Sequence, residues 1–129
     1  MGLLNRFRIV IHRYTRSYPQ EIKNWYNKHL GLKTDNYGST FWWKDKNGND
    51  CSTQWSPFKS DTSYFNPSEK QFMQNFRVEN LLHLLDELKN EGVTIVGNME
   101  TYDYGKFAWI LDPEGNKIEL WEPNDKAFQ

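Results

Sequence analysis

The sequence predicts an α+β fold in which two tandem βαβββ modules form one curved mixed sheet, with a concave cavity on one face and helices on the outer face. Two observations lead to this prediction: the chain repeats itself at a fixed spacing, and both copies show the same order of strand and helix patterns. A length of 129 residues fits a single domain spanning residues 1–129. One βαβββ unit leaves a sheet face open, so two copies side by side are needed to enclose a site.

Residues 37–49 and 104–116 carry the repeat. They read YGSTFWWKDKNGN and YGKFAWILDPEGN, so Tyr, Gly, Trp, Asp, Gly and Asn recur at an offset of 67 residues, from position 37 to position 104. With a slip of one residue, Trp55 is matched to Trp121. Six matches at one offset, with turn and aromatic types in step, indicate a duplication.

The first copy opens with a strand and a helix. Phe7–Tyr14 is rich in Ile and Val, which predicts a strand. Ser17, with Gln20 three residues later, predicts the capping box that starts a helix, and Gly31 predicts its end. The apolar stripe of this helix consists of Ile22, Trp25, Tyr26 and Leu30. Two strands around an Asn-Gly turn are predicted next, at Thr40–Lys44 and Ser52–Trp55.

The second copy repeats this order. Met73–Val78 predicts a strand, Asn80 an N-cap and Gly92 a helix end. The apolar stripe of this helix consists of Leu81, Leu84, Leu85 and Leu88. The remaining predicted strands are Val93–Val96, Phe107–Leu111 and Lys117–Trp121. The resulting boundaries are a first module at 1–58, a connector at 59–72, a second module at 73–123 and a tail at 124–129.

Composition and charge exclude several classes of protein. The 16 Lys and Arg nearly balance the 17 Asp and Glu, which argues against the basic surface that nucleic acids need. No apolar run is long enough for a signal peptide or a membrane helix, so we expect a cytoplasmic protein that binds neither nucleic acid nor membranes. Cys51 is the only cysteine, which leaves no internal disulfide. Six Trp in so polar a chain indicate either an aromatic core or an aromatic site.

Two segments resemble those of a known family. Residues 104–123, YGKFAWILDPEGNKIELWEP, resemble the closing motif of the vicinal oxygen chelate superfamily, which includes glyoxalases, bleomycin-resistance proteins and extradiol dioxygenases. Residues 25–32, WYNKHLGL, resemble its first-helix signature. The resemblance covers almost the whole chain and implies paired βαβββ modules and, commonly, a homodimer. It does not imply one activity, because the superfamily hosts many chemistries on one scaffold.

The resemblance also implies four positions for a divalent metal, early in the first strand and late in the last strand of each copy. Glu119 fills one position, and the first strand offers Ile11, or His12 after a shift of one residue. The other two positions fall on Thr53 or Gln54 and on Met73 or Gln74. Because such a shift turns a strand side chain to the other face, we expect an incomplete centre and no cofactor. Glu119 and His12 are the candidate ligands, and a bound divalent metal is the alternative.

Strand alternation assigns the tryptophans to faces. Trp25 and Trp43 are predicted in the helix–sheet core. The predicted ligand-binding residues share the concave face with Glu119 and are Trp42, Trp55, Asn75, Arg77, Trp109 and Trp121. Tyr64 joins them from the connector, where Tyr64 and Phe65 either cover the cavity or anchor a long loop. The alternative is that these rings pack at a dimer interface or across strands.

Three functions remain open at this point. The first is a protein that binds a small anionic or carbonyl-containing molecule in an aromatic-lined cavity, without a complete metal centre. The second is a divalent-metal-dependent lyase or dioxygenase. The third is a metal-free isomerase that uses Glu119 as its catalytic acid or base.

Overall fold

A computed structural model describes residues 7–124, with side chains from Tyr14 to Asn124. Within this range two helices and seven strands follow one another along the chain. They are β1 (Phe7–Ser17), α1 (Pro19–Leu30), β2 (Ser39–Lys44), β3 (Asp50–Lys59), β4 (Phe72–Val78), α2 (Leu81–Asn90), β5 (Ile95–Tyr102), β6 (Gly105–Leu111) and β7 (Lys117–Pro123). Neither of these described helices is long and apolar enough to cross a membrane.

The seven strands form one mixed sheet in the order β2-β3-β1-β4-β7-β6-β5. In each copy the last strand runs parallel to the first, with β3 beside β1 and β7 beside β4. The two first strands meet antiparallel in the middle of the sheet. This arrangement confirms the predicted α+β fold, in which both copies contribute to one curved sheet.

In the part of the chain that the structure describes, the first copy has one strand fewer than the second. After α2 the chain forms β5, β6 and β7, whereas after α1 it forms only β2 and β3 within the described range. An isolated bridge between Asp35 and Gly38 precedes β2, where the second copy has β5. As a result, β2 and β5 are the two edges of the sheet.

The duplication is visible in matching hydrogen bonds of two turns. The Oδ1 atom of Asp45 accepts from the backbone N–H of Asn49 at 2.9 Å, and Oδ1 of Asp112 accepts from that of Asn116 at 2.9 Å. In both turns the aspartate N–H donates to the asparagine carbonyl at 3.0 Å. An aspartate that bonds the backbone ahead of it fixes a tight turn, which explains why both residue types recur.

The offset of 67 residues continues without a slip through the last strands. Trp42 is in register with Ser52, and its counterpart Trp109 is in register with Glu119. Ser52 is therefore the counterpart of Glu119 in the first copy. The predicted slip at Trp55 is therefore wrong. A slip of one residue turns a strand side chain to the opposite face, so Trp55 and Trp121 lie on opposite faces of the sheet.

The outer face of the sheet packs most closely against α2. Leu81 and Leu84 are buried together with Val78, Ala108 and Leu120 of the neighbouring strands. Phe76, Ile110 and Ile118 complete this cluster. The strand residues alternate as predicted, so the face that carries Val78 and Ala108 is the helix-packed one.

Helix α1 covers the sheet less completely. The Tyr26 ring contacts Trp55 on β3, with ring centroids 4.8 Å apart. Trp25 is 51% exposed and Trp43 is 37% exposed, so the prediction that both belong to the core is wrong. Consecutive residues of a helix point about 100° apart, which lets Tyr26 reach the sheet while Trp25 faces away from it.

One of the two predicted helix caps is correct. Asn80 caps α2, and its Oδ1 accepts from the backbone N–H of His83 at 3.1 Å. Ser17, however, still belongs to β1, where its hydroxyl donates to the carbonyl of Phe58 at 3.3 Å. Tyr18 takes the N-cap position of α1, and the proline that follows supplies a backbone angle already suited to a helix.

Replacing Gly38 by Ala tests the close approach of β2 to β3. Gly38 has a φ of +127°, and a Cβ there would overlap the carbonyl oxygen of Trp55. Gly48 also has a positive φ, +80°, but a Cβ there would meet open space. We expect Gly38→Ala to lower the free energy of unfolding in urea by about 3 kcal/mol and Gly48→Ala by about 1 kcal/mol. Equal losses for the two variants would contradict the close approach.

Candidate functional site

Glu119, in the middle of β7, lies on the concave face and is only 1% exposed. Its Oε1 atom accepts from Asn75 Nδ2 at 2.6 Å and from the Tyr14 hydroxyl at 3.2 Å. Its Oε2 atom accepts from Trp109 Nε1 at 2.9 Å and from the Tyr64 hydroxyl. We call these five residues the Glu119 cage.

Four hydrogen-bond donors for two oxygens explain how the Glu119 carboxylate remains buried. A carboxylate offers about four acceptor positions, and its burial without partners costs several kcal/mol. All four donors are neutral groups, and the Lys117 ammonium adds positive charge from two residues earlier on the same strand. Burial lowers the pKa of Lys117, and the negative charge of Glu119 opposes that shift. The cage is thus suited to an ionised carboxylate.

The two tyrosine hydroxyls of the cage are held in their neutral form. Burial raises the pKa of Tyr14 far above its ordinary value of 10.0, and the charge of Glu119 adds to the shift. Burial, again followed by the charge of Glu119, raises the pKa of Tyr64. Both hydroxyls therefore remain donors to the carboxylate at neutral pH.

The connector between β3 and β4 lies across this part of the concave face. Phe65 is 0% exposed and packs with Met73 and Trp109. The Nζ atom of Lys117 donates to the carbonyl oxygen of Tyr64 at 2.7 Å and lies over the Tyr64 ring. Tyr64 and Phe65 therefore both cover the face and anchor the loop.

The described residues do not fit the divalent metal centre that the resemblance implies. Each oxygen of Glu119 already accepts two hydrogen bonds, so a cation would have to displace donors. The counterpart of Glu119 is Ser52, not Thr53 or Gln54, and a serine hydroxyl is a poor substitute for His, Gln or Glu. Among the described side chains, no group of three His, Cys, Asp or Glu is placed to bind a metal.

Asn75 on β4, the first strand of the second copy, is the residue that lies directly beside Glu119. Asn75 is the register partner of Glu119 on one side and of His12 on the other. It directs its amide nitrogen, rather than its oxygen, to the carboxylate. Met73 shares the face of Asn75 but packs with Trp109. The backbone of His12 lies in β1, and its side chain, the second predicted metal ligand, lies outside the described residues.

The four tryptophans predicted for the concave face do not come together. Trp109 belongs to the Glu119 cage, and Trp121 follows two residues after Glu119 on the same strand. Trp55 lies instead on the outer face against α1, so its predicted place is wrong for the reason of register given above. Trp42 lies on the edge strand β2 and is 74% exposed.

An aromatic surface continues from the cage toward β5. The Arg77 guanidinium lies over the Trp121 ring at 5.4 Å, and Trp121 stacks on Phe107 with centroids 5.8 Å apart. Tyr102 and Tyr104 stack on each other and are 45% and 43% exposed. We call these five residues the Trp121 patch. It combines flat apolar surface with a guanidinium, the combination that recognises carboxylates and conjugated rings.

Sequence reasoning missed two residues beside Glu119, Tyr14 and Lys117. Strand alternation carried the signal for both, because Tyr14 is two residues from His12 and Lys117 two residues from Glu119. The tyrosines of the Trp121 patch gave no comparable signal, since Tyr102 ends β5 outside the repeated motif and Tyr104, which begins the motif, lies in the turn before β6.

Replacing Glu119 by Gln tests the cage. The variant replaces one carboxylate oxygen, which accepts two hydrogen bonds, by an amide NH2 group. Two buried hydrogen-bond donors of the cage would then lose their acceptor and face another donor. We expect Glu119→Gln to lower the free energy of unfolding by about 3 kcal/mol, measured by urea denaturation. Glu122→Gln is the matched control on the same strand. Glu122 accepts a hydrogen bond from the backbone N–H of Leu81, and the side-chain oxygen of Gln can accept the same bond. A Glu119 variant as stable as this control would show that the cage does not carry stability.

Alkaline pH provides a second test of the cage. A tyrosine whose pKa is higher in the folded state contributes stability below pH 10.0, and that contribution is lost as the pH rises above this value. We therefore expect the free energy of unfolding to fall above about pH 10 and to fall less in a Tyr14→Phe, Tyr64→Phe double variant. The exposed Tyr18 serves as the control, since Tyr18→Phe should leave the fall unchanged. The same fall in all three proteins would rule out this role for the hydroxyls.

Comparison with known proteins places the chain in a family. The sequence matches the family model described as "Glyoxalase/Bleomycin resistance protein/Dioxygenase superfamily" over residues 9–120. No curated protein sequence matches the chain.

Solved structures show the same fold at low sequence identity. A methylmalonyl-CoA epimerase from Mycobacterium tuberculosis is 17% identical, with a TM-score of 0.59, over 99% of this chain and 95% of that one. A structure described as NAD-dependent benzaldehyde dehydrogenase from Legionella pneumophila is 11% identical, with a TM-score of 0.59, over 88% and 99%. A glyoxalase/bleomycin resistance protein/dioxygenase superfamily member from Vibrio splendidus 12B01 is 12% identical, with a TM-score of 0.56, over 90% and 98%.

These names describe different activities, and identities this low establish the fold alone. The family model, by contrast, matches most of the chain. The protein belongs to the glyoxalase/bleomycin resistance protein/dioxygenase superfamily.

Proposed function

We propose that this protein is a cytoplasmic small-molecule-binding member of its superfamily that works without a complete metal centre. Its ligand is a small planar molecule with a carboxylate or carbonyl group. One observation carries this proposal: the concave face has two different parts. Under the connector, the Glu119 carboxylate already accepts all the hydrogen bonds it can. Beside it, the Arg77 guanidinium lies over the aromatic ring of Trp121.

The Trp121 patch is the part of the concave face that suits such a ligand. Its ring surfaces provide apolar contact area, and the exposure of Tyr102 and Tyr104 leaves one end accessible. Arg77 is 8% exposed, so a carboxylate or carbonyl oxygen that reaches its guanidinium forms a charge-assisted hydrogen bond in a low-dielectric setting. Planar ligands are favoured because a flat ring can extend the stacking that the Trp121–Phe107 and Tyr102–Tyr104 pairs already show.

The two enzymatic alternatives are less well supported by the site. A metal-dependent lyase or dioxygenase needs ligands that the described residues do not bring together. A metal-free isomerase needs Glu119 within hydrogen-bond reach of a substrate, yet the four donors of the cage occupy its acceptor positions. Tyr64 would have to leave the carboxylate before a substrate atom approached it.

Binding of benzoate, followed by tryptophan fluorescence, tests the proposal. We expect saturable quenching that a chelator does not change, and binding of the neutral analogue benzyl alcohol that is at least about tenfold weaker. Arg77→Gln should weaken benzoate binding about tenfold or more, because it removes a charge-assisted hydrogen bond worth roughly 1.5–3 kcal/mol.

Lys106→Gln is the matched control for charge. Lys106 contacts Glu122 on the outer face, so its replacement removes one positive charge without changing the Trp121 patch. Equal losses in the two variants would indicate a nonspecific charge effect. A stoichiometric divalent ion in protein purified without chelator, or benzoate binding abolished by chelator, would contradict the proposed mode of binding.

A further inference from the structure

The two edges of the sheet are built differently. On β5, pairing with β6 is interrupted by a register shift between Val96 and Glu100, and a charged residue lies on the strand. Bulges and charges of this kind keep an edge from pairing with another strand. On β2, all six residues, Ser39–Lys44, pair continuously with β3, and the one charged residue is Lys44 at the end. The β2 edge is therefore regular and suited to further pairing.

The second copy shows what covers the equivalent strand. By the offset of 67 residues, β6 corresponds to β2, and its outer edge is paired with β5. Trp109 on β6 is 7% exposed, whereas its counterpart Trp42 on β2 is 74% exposed. Val96 of β5 is the register partner of Trp109. Within the described residues, the outer edge of β2 has no such neighbour.

The uncovered strand carries three consecutive aromatic residues. Phe41 is 45% exposed, Trp42 74% and Trp43 37%. With roughly 150–250 Å² for each aromatic side chain, they leave roughly 350 Å² of ring surface open. A standard interface buries roughly 800 Å² per partner, so the rings alone supply a large part of that area.

From these observations we propose that β2 pairs antiparallel with β2 of a second copy of this chain, about a two-fold axis that passes through Trp42. The proposal is independent of the ligand site. Pairing about this axis places Trp42 opposite Trp42 of the partner copy, Phe41 opposite Trp43, and Thr40 opposite Lys44. Opposite residues then share a face, and no like charges meet.

The symmetry of this pairing selects a second copy as the occupant. Pairing β2 with the β5 edge of another copy would leave one free edge at each end and extend without limit. Pairing β2 with itself uses the same surface on both copies and closes at two. Main-chain hydrogen bonds along the strand and contacts between aromatic rings on both faces would stabilise the dimer.

A charge exchange at Trp42 tests both the dimer and its register. We expect the wild type to sediment as a dimer. Trp42→Glu and Trp42→Lys place like charges opposite each other and should each raise the dissociation constant at least about tenfold. In an equimolar mixture of the two variants, Glu faces Lys across the axis. The dissociation constant of the mixed dimer should therefore be at least about tenfold lower than that of either variant alone. Circular dichroism and urea denaturation establish that both variants fold.

Trp25→Glu is the matched control, because Trp25 is an exposed tryptophan as well but lies on α1. It should leave the dissociation constant unchanged. A wild type that stays monomeric, or that forms open-ended larger species, overturns the proposal. So does a dimer unaffected by Trp42→Glu, or a mixture of the variants that recovers nothing.

Discussion

The buried Glu119 carboxylate sets the main constraint on this structure. A carboxylate can be buried in an aromatic interior only if its lone pairs are used, and here four strand and connector residues use them. One of the four, Tyr64, comes from the connector, so the demand of the carboxylate fixes where that segment runs. Lys117 strengthens the same attachment through the Tyr64 carbonyl. The electrostatics of one side chain therefore closes part of the concave face.

The duplication provides two equivalent places for each residue, and the copies use them differently. At one pair of positions the second copy has Glu119 and the first has Ser52; at another, Trp109 is buried and Trp42 is exposed. The difference follows from the extra strand β5, which pairs with β6, and from the connector, whose residue Phe65 packs against Trp109. Symmetry at the level of the backbone thus supports a buried carboxylate in the second copy and an open edge in the first.

The two faces of the sheet have different roles: the outer face stabilises the fold, and the inner face carries the polar side chains that could bind a ligand. Helix α2 and its apolar cluster stabilise the outer face, while the inner face holds polar side chains that a core of this size can bury only in paired form. Within the Trp121 patch, Arg77 is stacked on a ring near exposed tyrosines. A cation in that position is the feature of the inner face most directly suited to a ligand.

The sequence by itself determined the duplication, the order of the elements, the Asp–Asn turns and the faces of β4 and β6, because these depend on local periodicity and turn chemistry. The resemblance to the superfamily singled out Glu119, and alternation along β4 placed Arg77 on the same face as Asn75. The tertiary structure alone decided the alignment of the last strands, the exposure of Trp25 and Trp43, and the closure of the cage by Tyr14 and Tyr64. The physical reason is that a strand pattern repeats every two residues, so a shift of one residue reverses every face, and only pairing with a neighbouring strand fixes that choice.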